Sequence, residues 1–244
     1  MLCNIDINKM NKLMERDLDA RQIIPQLLQN HRNTISTISH EIRNPLTLIF
    51  SALQVMEVQN PEVKDLSHWN HVVNDVKYII QLLEELSTFN NSNSLYYSMF
   101  SMEQLLKDVA VSFAISLDTN DTDIEFSSSI PDSIGSFSGD KVKLQEVFLN
   151  LLKNAEEAIS DSGSIRLTAS RSEEWITITC EDTGCGLTEE QQDYIFQPLV
   201  TYNKPGGTGL GLPLCRKIIE AHEGTLTVSS TPQKPTVFTI QLPV

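Results

Sequence analysis

His40 is the side chain with the clearest nucleophilic setting in the sequence. It stands two residues after Ile38 and two before Ile42. At roughly 100° per helical residue it lies about 200° from each, away from the apolar stripe they belong to. A solvated surface histidine is the plainer reading of such a residue. Its neighbours argue for more. Glu41 follows directly, and Pro45 lies inside the same helical pattern, with no N–H to offer the Glu41 carbonyl. A mid-helix proline costs about 3 kcal/mol, so something other than stability keeps it beside an exposed imidazole. The run His40-Glu41-Ile42-Arg43-Asn44 starts like the zinc-protease pattern H-E-x-x-H, but Asn44 occupies the second ligand position and is a poor zinc ligand.

Glu146, Asn150 and Asn154 recur every fourth residue and place three oxygen-bearing side chains on one helix face. Such a stripe is either a solvated face or a set of hard ligands for a magnesium ion that bridges phosphates. Two glycine loops follow, Asp182-Thr183-Gly184-Cys185-Gly186 and Gly206-Gly207-Thr208-Gly209-Leu210-Gly211. Glycines let backbone N–H groups approach phosphate oxygens, and a helix N-terminus adds favourable partial charge, although plain turns would read the same way. Neither loop is a P-loop, since no Gly-Lys-Ser/Thr follows, and neither has dinucleotide-fold spacing, since Leu212 and Leu214 stand where a third glycine is needed. Between the loops, residues 192–205 read as an irregular lid in which Lys204 could meet a phosphate.

The elements that position these residues follow from periodicity. Ile35, Ile38, Ile42, Leu46, Ile49, Leu53 and Met56 predict an amphipathic helix over 32–56, and a second stripe runs from Trp69 to Leu86 after a turn at Pro61 and Asp65. This hairpin leaves a long apolar face that a second copy would cover, giving a homodimeric four-helix bundle. A further helix over 10–29, with Pro25 in it, precedes the hairpin. The polar run 90–94 marks a domain boundary. Beyond it the pattern predicts a strand near 97–100, helix 102–117, strand 123–128, helix 141–160, a hairpin of strands 164–170 and 175–181, helix 211–222, and strands 225–229 and 236–242. The expected fold class is α+β in two domains, a helical hairpin followed by a sheet with helices on one face.

Composition narrows the partners. Eighteen basic against thirty-two acidic residues give the 244-residue chain a formal charge of −14, which disfavours nucleic acid and anionic lipid. Cys3, Cys180, Cys185 and Cys215 have no C-x-x-C spacing and read as reduced, mostly buried side chains. With neither a membrane span nor a secretory leader in the pattern, the expected compartment is the cytoplasm.

Taken in order, Ser39-His40-Glu41-Ile42-Arg43-Asn44-Pro45-Leu46, then Leu149-Asn150-Leu151-Leu152-Lys153-Asn154-Ala155, then the two glycine loops resemble the motifs of the sensor histidine kinases of two-component signalling. The resemblance covers the chain from about residue 33 to its end. It implies a signalling segment over 1–30, a dimerisation and phosphotransfer domain over 31–90, and an ATP-binding domain over 96–244 of the Bergerat fold shared with gyrase, Hsp90 and MutL. It implies that His40 accepts phosphate, that Glu41 orients the ring or takes its proton, and that Asn44 positions water for dephosphorylating a response regulator. Asp182 would accept from the adenine amino group, with Gly184 and Gly186 close to the base. Glu146, Asn150 and Asn154 would hold Mg2+ on ATP, and Lys204 would reach the γ-phosphate. Gly207, Thr208, Gly209, Leu210 and Gly211 would follow the phosphates. Implied partners are a second copy, a response-regulator receiver domain and, unless the chain is a piece of a longer protein, a separate sensor. Where many relatives carry a basic residue three positions after Asn154 this chain has Glu157, which places more weight on Lys204. The alternatives are a phosphotransferase or scaffold inactive towards ATP, and an ATPase of the gyrase and Hsp90 type.

Overall fold

A computed structural model describes residues 7–92, 94–120, 123–201 and 207–244. The chain divides into two compact units, Met1–Asn91 and Ser92–Val244.

The first unit is helical. Helix α1 (Ile7–Arg16) gives way at Asp17 to α2 (Leu18–Gln59), whose start is capped by the Asp17 carboxylate accepting from the N–H groups of Asp19 and Ala20. The helix expected over 10–29 is thus broken at Asp17, and from Leu18 it is continuous with the hairpin helix; α2 passes through both Pro25 and Pro45 without ending. Pro61 begins a short 3-10 turn, Pro61–Asp65, after which α3 (Trp69–Asn91) packs back along α2. The stripe predicted to be apolar is half-covered in the single chain: Ile38, Ile42, Ile49 and Met56 each keep about half of their surface exposed (48%, 45%, 48% and 50%). Fully buried positions of α2 and α3 are Ser39 and Ser87.

In the second unit, β1 (Ser98–Ser101) and β3 (Ser136–Gly139) form an antiparallel ribbon. The main sheet has five strands, β2 (Asp123–Ser129), β4 (Ser162–Arg171), β5 (Trp175–Asp182), β6 (Thr225–Ser229) and β7 (Thr236–Pro243), in the order β2-β4-β5-β7-β6. Only β2 and β4 run parallel; the other pairs are antiparallel. Alternation along β5 and β7 buries Ile176, Ile178, Cys180, Phe238, Ile240 and Leu242. Helices α4 (Met102–Asn120), α5 (Lys141–Ala158) and α7 (Gly211–Ala221) pack with one another and on the strands. The core between them holds Leu105, Leu106, Leu144, Phe148, Leu152, Leu214 and Ile218. A short helix α6 (Glu189–Tyr194), opened by a capping box of Thr188 and Gln191, overlaps the first residues of the segment 192–205 read as irregular.

Candidate functional site

His40 is exposed on α2, as are Glu41 and Asn44, while Ser39 beside it is buried and donates to the Ile35 carbonyl at 2.8 Å. On the far side of the histidine, Thr47 Oγ1 donates to the Arg43 carbonyl at 2.9 Å. Arg43 in turn lies 3.8 Å from the Glu84 carboxylate of α3. Pro45 withholds the donor that the Glu41 carbonyl would have in an ordinary helix. The imidazole therefore stands in solvent on a helix whose ladder is interrupted one turn later.

In the α/β unit, α5 opens at Asp140, whose carboxylate accepts from the Lys143 N–H at 3.1 Å. Leu144, Val147, Phe148, Leu151, Leu152 and Ala155 bury one side of this helix. Glu146, Asn150 and Asn154 share the other stripe and are half-buried. An open hollow of about 370 Å³ along the outer face of α5 is lined by Val142, Gln145, Glu146, Leu149, Asn150 and Lys153. Asn154 lies one turn beyond Asn150 and donates its amide to the Asn150 carbonyl at 2.7 Å.

Asp182 ends β5 with 2% of its surface exposed, and its Oδ1 accepts from the Gly184 N–H at 2.9 Å. The loop then folds against the end of α5: the Cys185 N–H donates to Ala158 O at 3.1 Å, and a Cβ on Gly184 would stand 2.6 Å from that same oxygen. Glycine is required there by close approach. In the second loop Gly209 takes a left-handed φ of +67°, with its carbonyl accepting from the Leu199 N–H at 2.9 Å. Thr208 is buried, its hydroxyl 3.4 Å from the Leu210 N–H. Leu210 precedes α7 without a side-chain cap among the described residues, which leaves the helix start suited to an anion. Gly211 meets Asn150 across the site, a Cβ there falling 3.5 Å from Asn150 Oδ1. Gly207 is half-buried; Lys204 lies outside the described residues.

The structure thus brings Asn150 to Gly211, and Gly184 to the end of the helix that carries Asn154. The donors on α5 are hard oxygens, two of them lining the hollow, and this chemistry fits Mg2+ on a phosphate. Among the described residues no cluster of three His, Cys, Asp or Glu side chains could hold a metal ion. Sequence reasoning missed Gln145 and Lys153 in the lining of the hollow, for which the i, i+4 and i, i+3 spacing with Leu149 and Asn150 was available as a signal. It also missed Arg216, whose guanidinium sits 3.9 Å over the Phe196 ring and ties α7 to the segment after α6.

Residues 30–94 match the family model "His Kinase A (phospho-acceptor) domain", and residues 139–244 match "Histidine kinase-, DNA gyrase B-, and HSP90-like ATPase". The chain belongs to the sensor histidine kinases. It is 31% identical over 210 residues to Sporulation kinase C of Bacillus subtilis (strain 168), covering 85% of this chain and 47% of that protein. To the signal transduction histidine-protein kinase AtoS of Escherichia coli (strain K12) it is 32% identical over 208 residues, covering 85% and 34%. It therefore spans less than half the length of these relatives. The crystal structure of full-length ShkA in complex with AMPPNP superposes with a TM-score of 0.71 at 22% identity, over 86% of this chain and 45% of that one, and so shares its fold. Within this family the His40 region falls in the first matched domain and both glycine loops fall in the second.

Proposed function

We propose that this chain is an ATP-dependent protein histidine kinase in which His40 takes the γ-phosphoryl group and passes it to an aspartate of a response-regulator receiver domain. The observation that carries the reading is the pairing, in one chain, of an exposed imidazole beside a helix-interior proline with a helix face bearing Glu146 and Asn150, against which the second glycine loop closes at Gly211. A ring nitrogen of His40 forms the P–N bond as the bond to the β-phosphate oxygen breaks and ADP leaves. Glu41 orients the ring or takes the imidazole proton. Asp182 accepts from the adenine amino group, and Gly184 and Gly186 let the backbone lie close to the base. Thr208, Leu210 and Gly207, Gly209 and Gly211 follow the phosphates, with Lys204 reaching towards the γ-phosphate. Glu146, Asn150 and Asn154 would hold Mg2+, which offsets charge on the phosphates when bound. The AMPPNP bound to ShkA, an ATP analogue in a protein of the same fold, supports the nucleotide assignment.

The half-exposed stripe of α2, with Val72 and Ile79 of α3 also exposed, supports a homodimer, since covering each such side chain is worth on the order of 1 kcal/mol. Asn44, one turn after His40, is the residue for positioning water in dephosphorylating the regulator. No described helix is long and apolar enough to cross a membrane, and we place the chain in the cytoplasm, receiving its signal from a sensor module or protein. The test is incubation with γ-labelled ATP and Mg2+. An acid-labile, base-stable label that His40→Gln abolishes is expected. A label that survives in His40→Gln refutes the assignment; nucleotide binding without any label points to an ATPase, and absence of nucleotide binding to a phosphotransferase or scaffold.

A further inference from the structure

Helices α5 and α7 run antiparallel, and three contacts fix how far one is shifted along the other. At one end Gly211 faces Asn150. In the middle the Cys215 thiol donates to the Val147 carbonyl at 3.8 Å. At the other end the ring of His222, which closes α7, meets Asp140, which opens α5. This last contact is fully directional. His222 Nδ1 is 2.7 Å from the Ile218 carbonyl, which can only accept, so Nδ1 carries the hydrogen. Nε2 is then a lone pair and accepts from the Asp140 N–H at 2.9 Å. The ring is 3% exposed.

The same corner grips the strand of chain that enters the α/β unit. Asp140 Oδ2 accepts from the Tyr96 N–H at 2.9 Å. Lys143 Nζ donates to the carbonyls of Ser92 at 3.0 Å and Ser94 at 2.5 Å. The Tyr97 ring lies 5.9 Å from the His222 ring, and its hydroxyl reaches the Ala221 carbonyl at 3.4 Å. One set of hydrogen bonds thus holds the entry segment, the start of α5 and the end of α7.

We propose that Asp140, Lys143 and His222 form a positioning latch that ties the entry segment to the axial register of α5 and α7, so that nucleotide affinity depends on the latch being closed. The inference rests on the nucleotide reading above and adds the residues that couple the nucleotide site to the chain arriving from the helical unit. None of the three is itself a lining residue; Asp140 and His222 act through the register of α5 and α7, while the Lys143 ammonium also attracts the Glu146 carboxylate on the same helix. Charged or titratable groups facing the His222 ring are Asp140 and Lys143 of α5 and Tyr97 of the entry segment. Protonation of His222 turns Nε2 into a donor pointed at another donor, which opens the latch. Burial holds the ring neutral, against the pull of the Ile218 carbonyl and the Asp140 carboxylate, so opening needs pH below the ordinary histidine range.

Binding of trinitrophenyl-ATP to the full chain, measured from about pH 8 to about pH 5, tests this. His222→Gln keeps an acceptor near the Nε2 position and cannot titrate, whereas His222→Phe keeps the ring volume and has no acceptor. In His222→Phe, with the folded fraction checked by near-ultraviolet dichroism, affinity is expected to fall about tenfold near pH 8, the equivalent of one directional hydrogen bond, and the gap to wild type should close as pH falls and the wild-type latch opens. His222→Gln should bind as wild type near pH 8 and should lose the part of the pH dependence that exceeds the nucleotide's own titration. Lys143→Met, which releases Ser92 and Ser94 and removes a positive charge that opposes protonation of His222, should weaken binding and move the pH-dependent loss to higher pH. Normal wild-type binding that folded His222→Phe leaves unchanged, or identical pH profiles in wild type and His222→Gln, overturns the latch alone. A wild-type chain that binds no analogue at any pH overturns the nucleotide reading and the latch with it.

Discussion

Gly209→Ala isolates the backbone geometry of the second glycine loop. At φ +67° an alanine costs about 1–2 kcal/mol relative to its preferred backbone. Its Cβ would also stand 2.7 Å from the Val200 nitrogen and 2.8 Å from Leu199 C and Val200 O. These are backbone atoms that cannot turn aside, and overpacking of this kind costs about 1–3 kcal/mol more. The loop has a cheaper escape, because releasing the Leu199 N–H from Gly209 O forfeits a net of about 1 kcal/mol. Global stability should therefore drop by only about 1–2 kcal/mol, about 2–4 °C in melting temperature for each kcal/mol. Nucleotide affinity should fall at least about tenfold, because the N–H groups ahead of α7 no longer converge. Gly211→Ala is the control: its Cβ meets Asn150 Oδ1 at an ordinary 3.5 Å on a helical residue, so stability should hold or rise by about 0.5–1 kcal/mol. Thermal melts and fluorescence titration with an ATP analogue read both quantities. Equal binding by Gly209→Ala and wild type would refute the reasoning.

The two asparagines proposed for different steps should separate in assay. Asn154→Ala should abolish His40 labelling at moderate Mg2+, while Asn44→Ala should label normally and release phosphate more slowly from a phosphorylated receiver domain; normal labelling of Asn154→Ala would remove the metal role. Acid stability should show two limbs. As pH falls through 6.5 the unfolded chain protonates His222 while the buried ring still resists, so the unfolded state holds the extra proton and stability declines until the folded ring also titrates. Asp140, depressed because the Tyr96 and Lys143 N–H groups outweigh its burial, contributes fully above its unfolded value of 3.8 and loses that contribution as pH falls below it. Melting curves of His222→Gln should lack the upper limb and keep the lower one.

Much of this arrangement was legible from residue order. Helix α5 and the β4–β5 hairpin follow directly from their apolar periods and the 172–174 turn, and the glycine loops lie where strand and helix signals place them. What escaped is non-local or short. Strand β3 is four residues, Ser-Phe-Ser-Gly, with only Phe137 and Gly139 buried, and it exists because β1 pairs with it. Helix α6 has six residues and no apolar stripe; its capping box was its only local mark. The helix expected over 10–29 runs through Pro25 as read, but it breaks at Asp17 and its remainder joins the hairpin helix, because the Asp17 carboxylate caps a new helix start that apolar periodicity does not mark. Cys180 and Cys215 are buried as expected, the first with its thiol pushed up to about 12 by burial, but Cys185 is exposed between two loop glycines. His222 and Asp140 are 82 residues apart, and no period connects them.

The grip of Asp140 and Lys143 on residues 92–96 also decides where the nucleotide-binding half can be cut free. A fragment starting at residue 96 would discard both carbonyls that hold the Lys143 ammonium, leaving a half-buried cation beside a carboxylate and a loosened first turn of α5. One starting at or before Ser92 keeps its own doorpost. Shuffling of such modules between signalling proteins would then favour crossovers within the last turn of α3, upstream of the polar run where composition alone draws the border.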